Sequence, residues 1–291
     1  MIDLHTHSAV SDGSESPGRV VELAAAAGCA ALALTDHDSQ AGLDEAARRA
    51  GELGVRLVPG CEVSCRKPRS PIDGSPLAGS VHVLVYFVPA GTEPLHGELA
   101  KLRGDRAERN RALGARLAEL GTGVRYEDAV LEAGDEAGVG RPHFARALVK
   151  AGAAADVDDA FDRFLADGRP AYVPKARLDP PDVARIAHAA GGVAVLAHPL
   201  STGLEARVLE RLVAELAEGG LDGIEAVYGA YTPDQRAELR RMAGRHGLAA
   251  TGGSDFHGSF KAGLAVGRGR GDLAVPDDVL DALEARRPAP T

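Results

Sequence analysis

The chain has 291 residues, of which 45% are hydrophobic and 26% are charged, and its formal net charge at pH 7 is −9. These values are typical of one large globular domain, or of one domain carrying an insertion. The acidic balance argues against a broad basic surface for duplex DNA. No apolar run could span a bilayer and no signal-peptide pattern opens the chain, so we expect a cytoplasmic protein without a membrane partner.

The first predicted strand begins at Ile2 and leads directly into His5-Thr-His7, and Asp12 follows five residues later. Side chains two positions apart on a strand point to the same face of the sheet. The two imidazoles are therefore candidate ligands for one metal ion. Further ligands for this ion should come from later parts of the chain.

Strands and helices alternate in the first third of the chain. Strands are predicted at 30–34, 55–58 and 81–88, with helices at 18–27 and in the alanine-rich segment that ends near Leu53. This alternation indicates a parallel α/β core. The segment 66–80, rich in Pro, Gly and Ser, is predicted to be a long loop.

The pattern then changes to helices only, and later returns to alternation. Helices are predicted at 95–120, 126–133, 143–151 and 157–165, and strands at 171–173, 193–197, 223–227 and 248–251. We therefore expect an α/β domain in two parts, 1–93 and 171–291, separated by a helical insertion at 94–170. The three cysteines, an odd number without a metal-binding spacing, are expected to be reduced thiols.

Metal-type side chains follow most of the predicted strands. These residues are His5, His7, His37, Glu62, His198, Asp255 and His257, whereas His82 lies at the start of its strand and is an exception. The carboxyl ends of strands meet at one rim in α/β barrels and at one edge in open α/β sheets. The separated side chains should therefore converge. His96, His188 and His246 lie outside these positions and are expected to be ordinary surface or core residues.

The candidate ligand set is too large for one four-coordinate ion. It comprises His5, His7, Asp12, His37, Glu62, His82, His198, Asp255 and His257. We predict two or three divalent ions, with Zn, Mn and Fe all compatible with mixed nitrogen and oxygen ligation. Three divalent ions would carry more positive charge than the three carboxylates neutralise, and this excess favours a phosphorylated substrate. A bridging water would lose a proton to become the nucleophile. Asp36 and Asp38 are expected to orient an imidazole or to cap the next helix.

The ordered motifs of the chain resemble those of the PHP (polymerase and histidinol phosphatase) superfamily. They are His5-Thr-His7 with Asp12, Thr35-Asp36-His37-Asp38, Glu62, His198-Pro199 and Gly253-Ser254-Asp255-Phe256-His257. The resemblance implies a distorted (β/α)7 barrel with a di- or trinuclear metal centre at the strand carboxyl ends. It also implies three ligand sets: His5, His7, Glu62 and Asp255; Glu62, His82 and His198; and Asp12, His37 and His257.

The predicted insertion carries a narrower resemblance. Gly140-Arg141-Pro142-His143 and the segment 170–175 are similar to the subgroup of 3',5'-nucleoside bisphosphate phosphatases and the exoribonuclease RNase AM. This implies that the insertion is a substrate cap and that Arg141 and His143, with Lys175 just after the insertion, hold substrate phosphate. Independently, a guanidinium, an imidazole and backbone N–H groups at one helix start favour phosphate.

The favoured hypothesis is a hydrolase, a metal-dependent phosphoesterase. Attack by a metal-bridging hydroxide would release the 3'-phosphate of 3',5'-bisphosphonucleotides or act at the 5' ends of short RNA. Arg141 and His143 would act on the reacting phosphate, and His198 would assist the leaving group. The alternatives are a histidinol-phosphate phosphatase and a non-catalytic, metal-stabilised module of a larger assembly.

Overall fold

The computed structural model describes residues 1–75, 77, 79–134, 136, 138–174 and 176–289. The chain forms two compact units. One contains Met1–Leu99 and Arg177–Thr291, and the other contains Ala100–Ala176. The predicted domain bounds, and the role of the segment 94–170 as a substrate cap, stay predictions.

Over the described residues, seven strands form one sheet whose order in space is the order in the chain. They are β1 (Ile2–Thr6), β2 (Ala31–Leu34), β3 (Arg56–Ser64), β4 (His82–Tyr86), β5 (Val193–Leu196), β6 (Gly223–Tyr228) and β7 (Ala249–Gly253). The two ends of the sheet meet. The N–H of Asp255 donates to the carbonyl of His5 at 2.8 Å, and the N–H of His7 donates to the carbonyl of Phe256 at 2.9 Å. The sheet is thus a nearly closed barrel, and the predicted seven-stranded α/β barrel is confirmed.

One strand runs against the others. β4 is antiparallel to both β3 and β5, whereas the other paired strands are parallel. Its first residue, His82, pairs with Ser64 at the carboxyl end of β3. The exception noted in the sequence therefore has a simple cause, because the start of a reversed strand lies at the rim where its neighbours end.

Helices follow the strands at most of the predicted positions. They are α1 (Pro17–Ala27), α2 (Leu43–Leu53), α3 (Leu95–Glu119), α4 (Tyr126–Ala133), α5 (Arg141–Lys150), α6 (Val157–Ala160), α7 (Pro180–Ala189), α8 (Ala206–Glu218), α9 (Pro233–Arg245) and α10 (Asp278–Glu284). α1 begins as predicted, with the Ser16 hydroxyl accepting from the N–H of Arg19. Its buried face packs with α2 and β2 in an apolar cluster that includes Val20 and Leu32.

The unit Ala100–Ala176 has its own apolar core. Leu113 and Leu117 of α3 pack in it with Phe144 and Leu148 of α5, and all four side chains are fully buried. The strand predicted at 171–173 is wrong. The N–H groups of Ala171 and Tyr172 donate to the carbonyls of Phe164 and Arg169, respectively. These bonds form a turn and are not available for pairing with another strand.

Two other expectations can be compared with the structure. All three cysteines are buried and none is in a disulfide. Across the described ranges, none of the helices has both the length and the apolar character needed to cross a membrane.

Candidate metal centre

The barrel brings all nine predicted ligands to one rim. His5 lies within β1 and His7 just after it, Asp12 lies in the following turn, His37 follows β2, Glu62 lies within β3, His82 begins β4, His198 follows β5, and Asp255 and His257 follow β7. Glu62 was predicted to follow a strand at 55–58. The strand instead continues to Ser64, because its second half pairs with β4.

The buried carboxylate of Glu62 lies at the centre of the cluster. Its Oε1 is 2.8 Å from His82 Nδ1 and 2.9 Å from His198 Nε2. Its Oε2 is 3.1 Å from His7 Nε2 and 3.3 Å from both His5 Nε2 and His37 Nδ1. One carboxylate thus faces five imidazoles, an arrangement that suits a bridge between ions.

The two other carboxylates lie on either side of His7. Asp255 Oδ1 is 3.5 Å from the Nε2 atoms of both His5 and His7. Asp12 is 3.3 Å from His257 Nε2, 3.6 Å from His37 Nε2 and 3.7 Å from His7 Nδ1. Each carboxylate therefore completes its own group of imidazoles, and His7 belongs to both groups.

The candidate ligand atoms form four groups, and within each group all the atoms lie within 4.8 Å of one another. They are His7, Asp12, His37 and His257; His5, His7 and Asp255; His5, Glu62 and His198; and His37, Glu62 and His82. The first group contains one of the ligand sets implied by the resemblance. The other two sets are distributed over the remaining three groups. His5 belongs to the second and third groups, and Glu62 belongs to the third and fourth.

The donor chemistry of the cluster fits divalent cations. His5 Nε2 and His7 Nε2 face each other at 3.0 Å, although both rings are fully buried among other nitrogens and carboxylates. The buried His37 Nδ1 lies 3.3 Å from Glu62 Oε2, yet no contact among the described residues gives it a well-aligned hydrogen bond. Buried polar atoms normally have partners, and a cation would satisfy several of these lone pairs at once.

The groups of the cluster shift one another's pKa values. Burial would raise the pKa of Glu62 and Asp12, but the facing histidines hold both well below the usual range. Burial lowers the pKa of His7 and His37. Burial opposes the charge on His5 too, yet Glu225, Asp255 and Glu62 raise its pKa well above the usual value. Burial and the facing carboxylates therefore shift the pKa values of neighbouring imidazoles in opposite directions.

The backbone is strained at two candidate ligands. His198 has a φ of 27° and Asp255 a φ of 54°, in the region that residues other than glycine seldom adopt. Both residues come directly after a buried strand, where the chain must turn sharply over the rim. Such strain persists where the surrounding structure fixes it, and it is concentrated at functional sites.

Two residues that sequence reasoning missed hold Oδ2 of Asp255. The hydroxyl of Tyr228 donates to Asp255 Oδ2 at 2.5 Å, and the ammonium of Lys261 contacts the same oxygen. The other oxygen, Oδ1, is left to face His5 and His7.

Asp36 holds the turn that carries Asp12. Its carboxylate accepts from the N–H of Ser8 at 2.8 Å and from the hydroxyls of Ser8 and Ser11 at 2.7 Å each. Of the two roles expected for Asp36 and Asp38, capping of the next helix is wrong, because α2 begins after Gly42 without a side-chain cap. Orientation of an imidazole stays a prediction. Asp38 instead accepts from the N–H of Ser64 at 2.9 Å.

The predicted phosphate-binding residues Arg141 and His143 lie on the first turn of α5. The Arg141 guanidinium donates to the carbonyl of Leu165 and to Asp167, and lies 5.8 Å from the ring centres of both Phe161 and Tyr172. His143 is buried, and its Nδ1 accepts from the N–H of Gly140 at 3.0 Å. Lys175 lies outside the described residues. The substrate-binding role of all three stays a prediction.

A nearly closed seven-stranded barrel with nine candidate histidine and carboxylate ligands at one rim defines a class of α/β barrels able to bind metal ions. The PHP domain family model matches residues 3–139. A 3',5'-nucleoside bisphosphate phosphatase from Chromobacterium violaceum is 36% identical over 290 residues, 99% of each chain. The chain belongs to the PHP family.

Two further similarities extend over nearly the whole chain. A 5'-3' exoribonuclease from Haemophilus influenzae is 34% identical over 283 residues, 97% of each chain. The structure of a protein assigned as a metal-dependent phosphoesterase from Bifidobacterium adolescentis superposes with a TM-score of 0.79 at 30% identity, covering 99% of this chain and 96% of the other. The similarity to these two relatives therefore extends over 97% or more of the chain.

Proposed function

We propose that this protein is a metal-dependent phosphoesterase that releases the 3'-phosphate of 3',5'-bisphosphonucleotides, with short RNA as the second candidate substrate. The observation that carries the proposal is the cluster of six imidazoles and three carboxylates at the barrel rim. The similarity over 99% of the chain to a nucleoside bisphosphate phosphatase supports the substrate class. A cytoplasmic location, expected from the sequence, is part of the proposal.

The cluster would hold two or three divalent ions, with Mn, Zn and Fe as candidates, because its ligands are nitrogen and oxygen atoms without thiolate. When bound, such ions supply Lewis-acid stabilisation of phosphoryl charge and lower the pKa of water. Glu62 is placed to join the groups, since its two oxygens face different imidazoles. Asp12 would complete the group of His37 and His257.

The residues of the chain would also hold the substrate. Arg141, His143 and Lys175 are proposed to bind phosphate, the guanidinium as a planar donor and α5 through its amino-terminal turn. For His198, the geometry favours a ligand over a proton donor. Its Nε2 lies on Glu62 and its Nδ1 lies 2.8 Å from the hydroxyl of Ser201, so both nitrogens are engaged.

The proposal is tested with chelator-treated protein reloaded with Mn²⁺. We expect phosphate release from 3'-phosphoadenosine 5'-phosphate, with adenosine 5'-phosphate as the product. A 5'-phosphorylated short RNA and histidinol phosphate, at equal concentration, separate the second candidate substrate and the alternative activity. Failure to release phosphate or nucleotide from either nucleotide substrate would contradict the proposal, and it would favour histidinol phosphate or a non-catalytic module according to the third measurement.

A further inference from the structure

Glu225 is a charged residue in the middle of an otherwise apolar, fully buried strand. It lies in β6, Gly223–Tyr228, and its own exposure is 0%. A buried carboxylate is costly unless hydrogen bonds satisfy its oxygens. The partners of Glu225 should therefore show why the strand carries it.

Both oxygens of Glu225 hold candidate metal ligands that come from other strands. Oε1 is 2.9 Å from His5 Nδ1, on β1. Oε2 accepts the backbone N–H of His198, after β5, at 2.7 Å. This second hydrogen bond holds the backbone of His198, whose φ of 27° is strained. A single carboxylate thus fixes a ring on one strand and a sharp turn on another.

We infer that Glu225 is the positioning residue that sets the tautomer of His5 and so makes its Nε2 a metal ligand. The inference rests on the proposed metal centre. With its proton on Nδ1 and donated to Glu225, the His5 ring presents the Nε2 lone pair to the cluster. That Nε2 faces His7, Glu62 and Asp255 at 3.0, 3.3 and 3.5 Å. His5 belongs to two of the four ligand groups, so its tautomer affects both.

The requirement for a carboxylate follows from counting donors and acceptors. The backbone N–H of His198 can only donate, and His5 Nδ1 must donate if Nε2 is to be free for a metal. The two donors lie against different oxygens of Glu225, and glutamine has one acceptor oxygen. In Glu225→Gln, the amide N–H₂ either opposes the His198 N–H or drives the His5 proton onto Nε2, where it blocks ligation.

The test compares metal binding by Glu225→Gln with binding by wild-type protein. We expect Mn²⁺ affinity, measured by calorimetric titration of chelator-treated protein, to fall by about 10- to 100-fold. Metal content after reloading should fall as well. Glu225→Asp keeps two acceptor oxygens and should recover part of the affinity. Unchanged Mn²⁺ affinity in a folded Glu225→Gln protein would overturn the inference.

The chain offers a matched control three residues earlier. Asp222 Oδ2 lies 2.8 Å from His188 Nε2 and also accepts the backbone N–H of Ala194 at 2.8 Å, outside the candidate ligands. Asp222→Asn changes the same kind of contact, and its Mn²⁺ affinity should stay within about twofold of wild type, since it touches no ligand. An equal loss of affinity in both variants would assign the effect of Glu225 to general destabilisation and overturn the inference.

A measurement on the wild-type protein covers the case in which Glu225→Gln does not fold. In Zn²⁺-loaded protein, nitrogen NMR should show His5 with a protonated Nδ1 and a ligated Nε2. A protonated Nε2 on His5 would overturn the inference. Wild-type protein that binds neither Mn²⁺ nor Zn²⁺ would instead refute the proposed metal centre itself, so the two failures are distinguishable.

Discussion

At the scale of single residues, the histidines around Glu62 can bind protons as well as metal ions. The pKa of His198 is raised, because Glu62 and other carboxylates outweigh its burial, and the pKa of His257 is raised, because Asp12 outweighs its burial. The pKa of His5 is raised further. A proton on a ligating nitrogen competes with a metal ion for the same lone pair, so metal loading and pH are linked.

The raised pKa values predict that metal loading releases protons at pH 7 and that Mn²⁺ affinity rises with pH above about 6.5. Calorimetric titration in two buffers with different ionisation enthalpies measures the number of protons released. As a control, His188→Gln removes a histidine outside the cluster and should leave that number unchanged. Metal loading without proton release at pH 7 would contradict the prediction.

The stability of the metal-free protein should show the opposite trend. A raised pKa in the folded state means that the charged ring is stabilised by folding, and this contribution is fully present below the unfolded pKa of about 6.5. It is lost as the pH rises through the raised pKa of the folded protein. Urea unfolding of the metal-free protein should therefore show a contribution from His5 that falls as the pH rises from about 6.5 to the raised pKa of the folded protein.

Sequence reasoning found the residues that end strands and missed those that support them. His5, His37 and Asp255 stand out because each follows or closes an apolar run. Glu225 sits within such a run, and a single charge in a fully buried strand was the available signal. Tyr228 and Lys261 carry no signal in the sequence, because their meeting with Asp255 depends on how the chain turns after β7.

At the scale of elements, the seam between β1 and β7 positions His5. The sheet closes there through backbone bonds of His5 and His7, and the carboxylate of Asp3 accepts the N–H groups of Ser254 and Gly267. The strands approach so closely that a Cβ on Gly253 would lie 2.4 Å from the N and Cβ atoms of His5. Only glycine leaves room for the ligand strand at this point.

We predict that Gly253→Ala lowers both stability and metal affinity, because its methyl group pushes β1 and His5 away. Overpacking of this kind costs about 1–3 kcal/mol in the free energy of unfolding. Chemical denaturation and Mn²⁺ titration measure the two effects. The control is Gly244→Ala in α9, where an added Cβ meets nothing within 4 Å. It should be neutral or stabilising by up to about 1 kcal/mol, and an equally stable Gly253→Ala would contradict the prediction.

The direction of β4 could not be derived from its own residues. An apolar strand reads the same in either direction, and the available indication was that the sequence predicts a loop at 66–80 where a parallel connection needs a helix. The predicted β3 was too short for a related reason. Its residues 60–64 are ordered by pairing with β4, a contact that no local pattern reveals.

At the scale of the whole molecule, the chain divides its predicted tasks between two compact units. The nine candidate metal ligands all belong to the unit formed by Met1–Leu99 and Arg177–Thr291, whereas Arg141 and His143 belong to the helical unit. The helical unit has its own core around Phe144 and Leu148. Substitutions in one unit should therefore affect one task and leave the other unchanged.

We predict that Arg141→Ala raises KM for 3'-phosphoadenosine 5'-phosphate by about 10- to 100-fold, the loss expected for a charge-assisted phosphate contact. Metal content should not change. Arg141→Lys keeps the charge but not the planar donor, so it should recover part of the loss. The control, Lys150→Ala, removes an exposed cation from the last turn of the same helix. Equal KM values for Arg141→Ala and Lys150→Ala would exclude a role in phosphate binding.

The reversed strand has a consequence for how such a protein can diversify. A loop that joins a strand to a helix leaves the rim and descends the outside of the barrel, so its length is tied to the helix that follows. The connection between β3 and β4 starts at Ser64 and returns at His82, which pair with each other. Residues can be inserted or deleted there without shifting any helix. This connection is where the entrance to the metal rim can change during evolution while the ligand cluster stays in place.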